Sequence, residues 1–81
     1  MKEQKIAVKK HFDPQMASMI VQTASQYKCH ISLIVDNSRA NAKSIMGIIS
    51  LSAIIKESLT IMADGEDEQE AIIALEELIG G

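Results

Sequence analysis

The stretch that most constrains how this chain can fold is residues 41–51, a polar beginning followed by an almost wholly apolar run. Ser44 precedes that run, and serine is a favoured N-cap because its hydroxyl accepts a hydrogen bond from a free N–H of the first helical turn. The sequence therefore predicts a helix over residues 44–54. Its apolar residues are too many for one buried stripe about 100° wide. These residues are Ile45, Met46, Ile48, Ile49 and Leu51.

Some of these side chains, including some of Ile45, Met46 and Ile49, should pack into a core, and the others should face solvent. Met46 is expected to be exposed, because a flexible methionine suits an adaptable contact surface. An exposed apolar patch indicates a protein partner. The second predicted helix is therefore the first candidate for an interaction surface.

The chain before this helix shows a strand pattern and then a helix pattern. Alternating apolar residues predict a strand over residues 4–8. Asp13 and Pro14 mark a helix start, since aspartate is a strong N-cap and proline is favoured at the first helical position. Apolar spacings of three and four extend this helix over residues 14–26. Its predicted inward residues are Met16, Met19, Ile20, Thr23, Ala24 and Tyr27.

A hairpin is predicted next, with strands over residues 30–35 and 39–41 joined by a turn at residues 36–38, where Asp and Asn tolerate left-handed backbone angles. A fourth strand spans residues 58–63, with Leu59 and Ile61 on one face.

The last helix is predicted to start near Asp67, which has the capping-box spacing to Glu70. It runs to about Leu78 and is ended by the two terminal glycines, Gly80 and Gly81. Its predicted inward residues are Ala71, Ile72, Leu75 and Leu78. The order β-α-β-β-α-β-α indicates an α+β domain, with helices covering one face of a mainly antiparallel sheet.

The bulk composition narrows the function classes. At 81 residues the chain is expected to form one domain over residues 1–81, too small for a deep enclosed active site. A net charge of −3 and 2% aromatic residues argue against a nucleic-acid binder. No apolar run is long enough for a membrane span, and no secretory signal is present. The lone Cys29 fits a reducing compartment, so a cytoplasmic location is expected.

The order and the residues together resemble the HPr family, the small phosphocarrier proteins of the bacterial sugar phosphotransferase system. The resemblance covers essentially the whole chain without insertion or deletion. It implies an open-faced β-sandwich, a four-stranded antiparallel sheet covered on one face by three helices. The matching segments are residues 21–25 with Tyr27, residues 43–47 with Ser50 and Leu51, and Gly65, Asp67 and Glu68 with Ala71.

The phosphocarrier site is where the chain departs from the family. Residues 11–17 stand where the family has Gly-apolar-His-Ala-Arg-Pro-Ala. Asp13 occupies the position of the phosphorylated histidine, and Gln15 that of the arginine that helps to hold the phosphate. His11 lies two positions early, on the predicted loop. Asp13 and Gln15 therefore form a degenerate phosphocarrier site, and Asp13 is expected to cap the helix.

The serine segment, by contrast, resembles that of Gram-positive members, in which a dedicated kinase phosphorylates the serine. The phosphoprotein then acts as corepressor for a LacI-type regulator. A subgroup, the catabolite-repression HPr-like (Crh) proteins, lacks the carrier histidine and keeps the serine. The resemblance implies a non-enzymatic regulatory protein phosphorylated at Ser44, with no cofactor and no metal. Its implied partner-binding residues are Lys43, Ile45, Met46, Gly47, Ile49 and Gln15.

Alternatives stay open at this point. Ser44 could serve only as an N-cap. A phosphocarrier could use Asp13 or His11, since carboxylates also accept phosphoryl groups, and the fixed charge of Asp13 could imitate a phosphorylated state. The chain could also be a plain interaction domain. The basic run Lys9-Lys10-His11 is either a solvated loop or a docking point for an acidic partner. No direct nucleic-acid or membrane partner is expected, and the oligomeric state is left open.

Overall fold

Four strands form one antiparallel sheet in the computed structural model, which describes residues 1–80. Their spatial order is β1-β4-β2-β3, and each neighbouring pair runs antiparallel. The strands are β1 (Lys2–Ala7), β2 (His30–Val35), β3 (Ser38–Asn41) and β4 (Ser58–Asp64). The predicted hairpin is confirmed, and Asp36 takes the left-handed conformation (φ 53°) at its turn.

Three helices complete the chain, in the predicted order. They are α1 (Pro14–Ala24), α2 (Ile45–Ser52) and α3 (Glu68–Gly80). Helix α3 packs on β1, β4 and β2, α2 packs on β3, and α1 contacts both other helices. The predicted open-faced β-sandwich of four antiparallel strands and three helices is thus confirmed.

Strand register determines which side chains enter the core. Leu33 stands opposite Ile61 on one side and Ala40 on the other, and residues directly opposite each other share a face of the sheet. These three side chains are buried against the helices. The alternate positions, such as Ser32, Ile34, Thr60 and Met62, lie on the uncovered face and stay partly accessible.

Helix α1 is shorter than predicted and has a narrower buried face. It ends at Ala24 rather than residue 26, because Ser25 acts as the C-cap. The prediction that Met19 faces inward is wrong, since 37% of this residue is exposed. The buried stripe runs through Met16, Ala17, Ile20 and Ala24, which leaves Met19 at its border.

The predicted capping box of Asp67 and Glu70 is wrong. The Asp67 carboxylate accepts hydrogen bonds from the backbone N–H groups of Lys28 (2.8 Å) and Cys29 (3.0 Å), in the loop before β2. A hydrogen bond from a side chain to the backbone three residues earlier does form, but Glu68 makes it. Its Oε1 accepts from the N–H of Gly65 at 3.1 Å.

Helix α3 also ends later than predicted. It continues through Ile79, which is buried where Leu78 is only half-buried, to Gly80. A Cβ on Gly80 would lie 2.9 Å from the carbonyl oxygen of Ala7, so the absence of a side chain lets the end of α3 approach β1 closely. The other half of the predicted glycine stop, Gly81, lies outside the described residues.

The sheet strands are longer at their polar ends than the apolar alternation indicates. Backbone pairing of β1 with β4 begins at Lys2, two residues before the predicted start, and pairs Lys2 with Ala63. The Lys2 ammonium also donates a hydrogen bond to Oε1 of Gln69 on α3. Polar edge-strand residues carry no periodic signal, so the pattern locates only the buried half of β1.

Candidate functional site

Ser44 caps α2 as predicted. Its backbone is extended (φ −112°, ψ 114°), and its Oγ accepts a hydrogen bond from the N–H of Gly47 at 3.3 Å. Its carbonyl oxygen accepts the first intrahelical bond, from Ile48 at 3.0 Å. The half-buried hydroxyl therefore sits at the positive end of an 8-residue helix, where free N–H groups and the helix dipole favour negative charge.

The segment that leads into α2 is fixed by short-range hydrogen bonds. The N–H of Lys43 donates to Oδ1 of Asn41 at 2.9 Å, and the N–H of Ser44 donates to the Asn41 carbonyl at 3.0 Å. Ala42 is fully buried, and its N–H donates to the carbonyl of Ile31 at 2.9 Å. The position of Ser44 is thus set by β2 and β3 rather than by a free loop.

The Lys43 side chain bonds to the loop after α1 rather than extending into solvent. Its ammonium donates a 2.6 Å hydrogen bond to the backbone carbonyl of Tyr27, just beyond the C-terminal end of α1. Tyr27 lies three residues after the last residue of α1, in the loop that leads to β2. Lys43 therefore connects the start of α2 to the α1–β2 loop.

The outward face of α2 is apolar. Ile45, Met46 and Ile49 are 40%, 72% and 42% exposed, and Ile48 and Leu51 are buried. The expected exposure of Met46 is confirmed. The expectation that some of Ile45, Met46 and Ile49 belong to the core is wrong, because Ile48 and Leu51 alone occupy the stripe that faces β3.

Two features of this face were not found by sequence reasoning. Helix α2 ends at Ser52 instead of residue 54, since Ala53 is its C-cap. Ile54 then follows the helix as a further exposed apolar residue, 41% accessible. The continuous apolar run 53–55 contains the signal, but it does not tell which member turns outward.

Gly47 leaves a shallow groove open between β3 and α2, with a volume of about 400 Å³. A Cβ at Gly47 would lie 3.5 Å from Ala40 Cβ and from Ser44 Oγ, which is ordinary van der Waals contact. The fold therefore does not require glycine at this position. The groove is lined by Ser38, Arg39, Ala40, Gly47, Ser50, Leu51 and Ile54.

The N-terminus of α1 is occupied by its own carboxylate. Asp13 Oδ1 accepts a hydrogen bond from the N–H of Met16 at 2.8 Å, and the Asp13 carbonyl accepts from Ala17 at 3.0 Å. The predicted N-cap is confirmed. Gln15 is exposed on the first turn of α1, whereas the other five predicted contact residues lie on α2 or directly before it. His11 is exposed on the preceding loop.

These features define a small α+β protein with an open-faced sandwich fold, in which α1 begins at a carboxylate N-cap and α2 begins at a serine N-cap. The chain belongs to the HPr family: the family described as "PTS HPr component phosphorylation site" matches residues 2–80. HPr proteins are phosphocarriers of the phosphotransferase system and are not themselves enzymes.

The similar proteins include both an HPr-like protein Crh and phosphocarrier proteins HPr. The HPr-like protein Crh of Bacillus subtilis is 39% identical over 74 residues, 89% of this chain and 87% of that protein. The phosphocarrier protein HPr of Treponema pallidum is 42% identical over 62 residues, 76% of this chain and 70% of that protein. The solved structure of HPr-C-His from Thermoanaerobacter tengcongensis has a TM-score of 0.87 at 43% identity, covering 98% of this chain and 91% of that one.

Among the helices of residues 1–80, none is both long and apolar enough to cross a membrane. The longest of them, α3, has 13 residues.

Proposed function

We propose that this chain is an HPr-like regulatory protein that is phosphorylated at Ser44 by a serine kinase of the HPr type. The phosphorylated form then acts in carbon catabolite regulation by binding a LacI-type regulator, and the chain does not carry phosphate on histidine. The observation that carries the proposal is the Ser44 hydroxyl at the N-terminus of α2, beside an exposed apolar helix face. The similarity to the HPr-like protein Crh supports it.

The chemistry at Ser44 is a phosphoryl transfer from ATP. The serine oxygen forms a bond to the γ-phosphorus, the bond from that phosphorus to the ADP oxygen breaks, and the hydroxyl proton passes to a base of the kinase. The product adds about −1.5 to −2 charge. A phosphate is well placed there, because it accepts from first-turn N–H groups and interacts favourably with the helix dipole. The extended backbone of Ser44 and the α2 geometry need not change.

The partner would bind the phosphate and the apolar face of α2 together. Ile45, Met46 and Ile49 are exposed within the two turns that follow Ser44. A regulator that pairs a basic side chain with the phosphate and an apolar pocket with Met46 would discriminate the modified form from the unmodified one. Lys43, Gly47 and Gln15 complete the proposed contact surface. The proposal therefore includes a cytoplasmic location, where such a kinase and regulator would act.

Carrier activity is not part of the proposal, for a chemical reason. A phosphohistidine requires an imidazole nitrogen aimed at the donor, and Asp13 supplies a carboxylate already bonded to the Met16 N–H. Gln15 supplies no positive charge to hold a phosphate. His11 is displaced to an exposed loop.

The proposal is tested by incubating the protein with an HPr-type serine kinase and ATP and mapping the product by mass spectrometry. We expect one added phosphate, located on Ser44, and none in Ser44→Ala. Ser50→Ala is the matched control, because Ser50 is an exposed serine on the same helix; it should be phosphorylated like the wild type. Absence of phosphate, or phosphate on another residue, would refute the proposal.

A second reaction separates the carrier alternative. With phosphoenolpyruvate and the general enzyme of the phosphotransferase system, we expect no acid-labile or acyl phosphate on this chain. A label on the wild type that disappears in Asp13→Ala or in His11→Ala would establish a carrier instead.

A further inference from the structure

A second groove, distinct from the one beside Gly47, lies between the β1–α1 loop and the segment that joins α2 to β4. It has a volume of about 270 Å³, and its rim is formed by Lys9, Lys10, His11 and Lys56. We call it the basic groove. It meets α2 at Ser52, the opposite end of the helix from Ser44, about 12 Å away at 1.5 Å rise per residue.

The basic groove is positively charged, whereas the chain as a whole is negatively charged. The protein has a net charge of −3, yet three of its eight Lys and Arg residues surround this one groove, and no carboxylate lines it. Within residues 1–80, none of the three ammonium groups makes a hydrogen bond or an ion pair. The nearest acid in sequence on the loop side, Asp13, already accepts from the Met16 N–H.

The floor of the basic groove is apolar, and a backbone hydrogen bond joins the two segments that form its walls. Val8, Phe12 and Ile55 are half-buried side chains packed against the core. The N–H of Val8 donates to the carbonyl of Glu57 at 2.8 Å, which joins the two segments that form the groove. A binding partner would therefore meet a largely preformed surface, and preformed surfaces cost less ordering on association.

We infer that the basic groove docks an acidic segment of a partner protein, in which one apolar anchor side chain is flanked by carboxylates. The anchor would cover Phe12 and Ile55, and the carboxylates would face the lysines on the rim. A nucleic acid fits less well, because the chain lacks the net positive charge and the exposed aromatic side chains that such binding uses. None of these residues takes part in the function proposed for Ser44, so the inference stands or fails separately.

The test is an NMR titration of isotope-labelled protein with the synthetic acetylated and amidated peptide EELEE. We expect saturable shifts of backbone amides in residues 8–12 and 52–56. The double variant Lys9→Gln/Lys56→Gln should raise the Kd by about five-fold, since each surface ion pair contributes only modestly. The matched control Lys5→Gln/Lys28→Gln changes the net charge equally at exposed lysines away from the groove rim and should leave the Kd unchanged.

Several results would overturn the inference. One is no saturable shift in the groove, and another is equal weakening in the two double variants. Equal shifts from inorganic phosphate or from the peptide EEGEE would show that only anions bind, without an anchor. Tighter binding of an oligouridine would assign the groove to nucleic acid. Ser44→Ala should bind EELEE as the wild type does. The peptide titration therefore tests the basic groove independently of whether Ser44 is phosphorylated.

Discussion

At the scale of single residues, Asp67 joins two distant parts of the chain. Its carboxylate accepts from the N–H groups of Lys28 and Cys29, which lie 39 and 38 residues away in sequence. The hydrogen bond from Lys28, followed by those from Cys29, holds the pKa of Asp67 below its ordinary value of 3.8. The start of α3 is thereby held to the loop that enters β2.

The depressed pKa of Asp67 predicts a pH-dependent contribution to stability. A carboxyl whose pKa is lower in the folded state stabilises the fold above its unfolded pKa, near 3.8, and loses this contribution as the pH falls through the folded value. We therefore expect Asp67→Asn to lower the free energy of unfolding at pH 7 and the difference from the wild type to shrink below about pH 4.

Urea unfolding at a series of pH values measures this difference. Glu66→Gln is the control, because within residues 1–80 the Glu66 side chain makes no hydrogen bond or ion pair. It should match the wild type at neutral pH. A difference between wild type and Asp67→Asn that stays constant down to acid pH would contradict the role assigned to Asp67.

Cys29 is predicted to be chemically inert in the folded protein. Burial raises the pKa of its thiol to about 11, with further contributions from a hydrogen bond to Asp67 and from that carboxylate's charge. Because the thiolate is the reactive species, we expect negligible reaction with a disulfide reagent at pH 7 and stoichiometric reaction in denaturant. Rapid reaction of the native protein, followed by absorbance, would show that the thiol is accessible.

These residues also show which contacts can be predicted from the sequence and which cannot. The caps at Asp13 and Ser44 were predictable because each depends on neighbours within a few positions. The role of Asp67 was not, because its partners are brought near only by the tertiary fold. The local capping-box pattern favoured Glu70 and was overridden by the backbone N–H groups of another loop.

At the scale of elements, α2 combines a firmly placed start with an apolar outer face. Hydrogen bonds from the 41–44 segment fix its N-terminus, and Ile48 and Leu51 anchor it on the sheet. The sequence showed that α2 has more apolar residues than one stripe needs. Which of them face outward depends on how the helix is rotated against β3, and that rotation has no local signal.

The two glycines at positions 47 and 65 should respond oppositely to alanine. Gly47 has room for a Cβ, with its nearest contacts at 3.5 Å, so Gly47→Ala should raise helix stability by about 0.5–1 kcal/mol. Gly65 has φ +153°, and its added Cβ would lie 2.6 Å from Cys29 Cβ, so Gly65→Ala should destabilise the protein.

Chemical denaturation of the two variants beside the wild type measures both changes. A marked loss of stability in Gly47→Ala would mean that α2 packs more tightly on β3 than the 3.5 Å contacts indicate. An unchanged Gly65→Ala would mean that the turn before α3 can relax away from Cys29.

At the scale of the whole molecule, the strand alternations and the three helix starts were enough to predict four strands, three helices and their order along the chain. The ends of the elements were less predictable. The pairing of Lys2 with Ala63 and the approach of Gly80 to Ala7 are long-range backbone contacts between chain regions with no periodic pattern. The family resemblance added that the four strands form one antiparallel sheet with all three helices on one face. The strand order β1-β4-β2-β3 was not predicted, because periodicity does not specify which strands are neighbours.

In the proposed function, α2 is the surface that the partner protein contacts. Ser44 lies at one end, the exposed side chains of Ile45, Met46 and Ile49 follow it, and the basic groove meets the other end at Ser52. At the start of α1, the Asp13 carboxylate accepts a hydrogen bond from the first helical turn. This arrangement supports regulation through protein contacts rather than phosphate relay.

The most direct test of this account is the affinity of a LacI-type catabolite regulator for the Ser44-phosphorylated and the unmodified protein, measured by calorimetry. Phosphorylation should tighten binding by about ten-fold or more, in the usual range of coupling between a switch and a partner site. Met46→Ala should weaken binding of the phosphorylated form, whereas Lys28→Gln, on the α1–β2 loop, should not. Equal affinity of the two forms for the regulator would contradict the account.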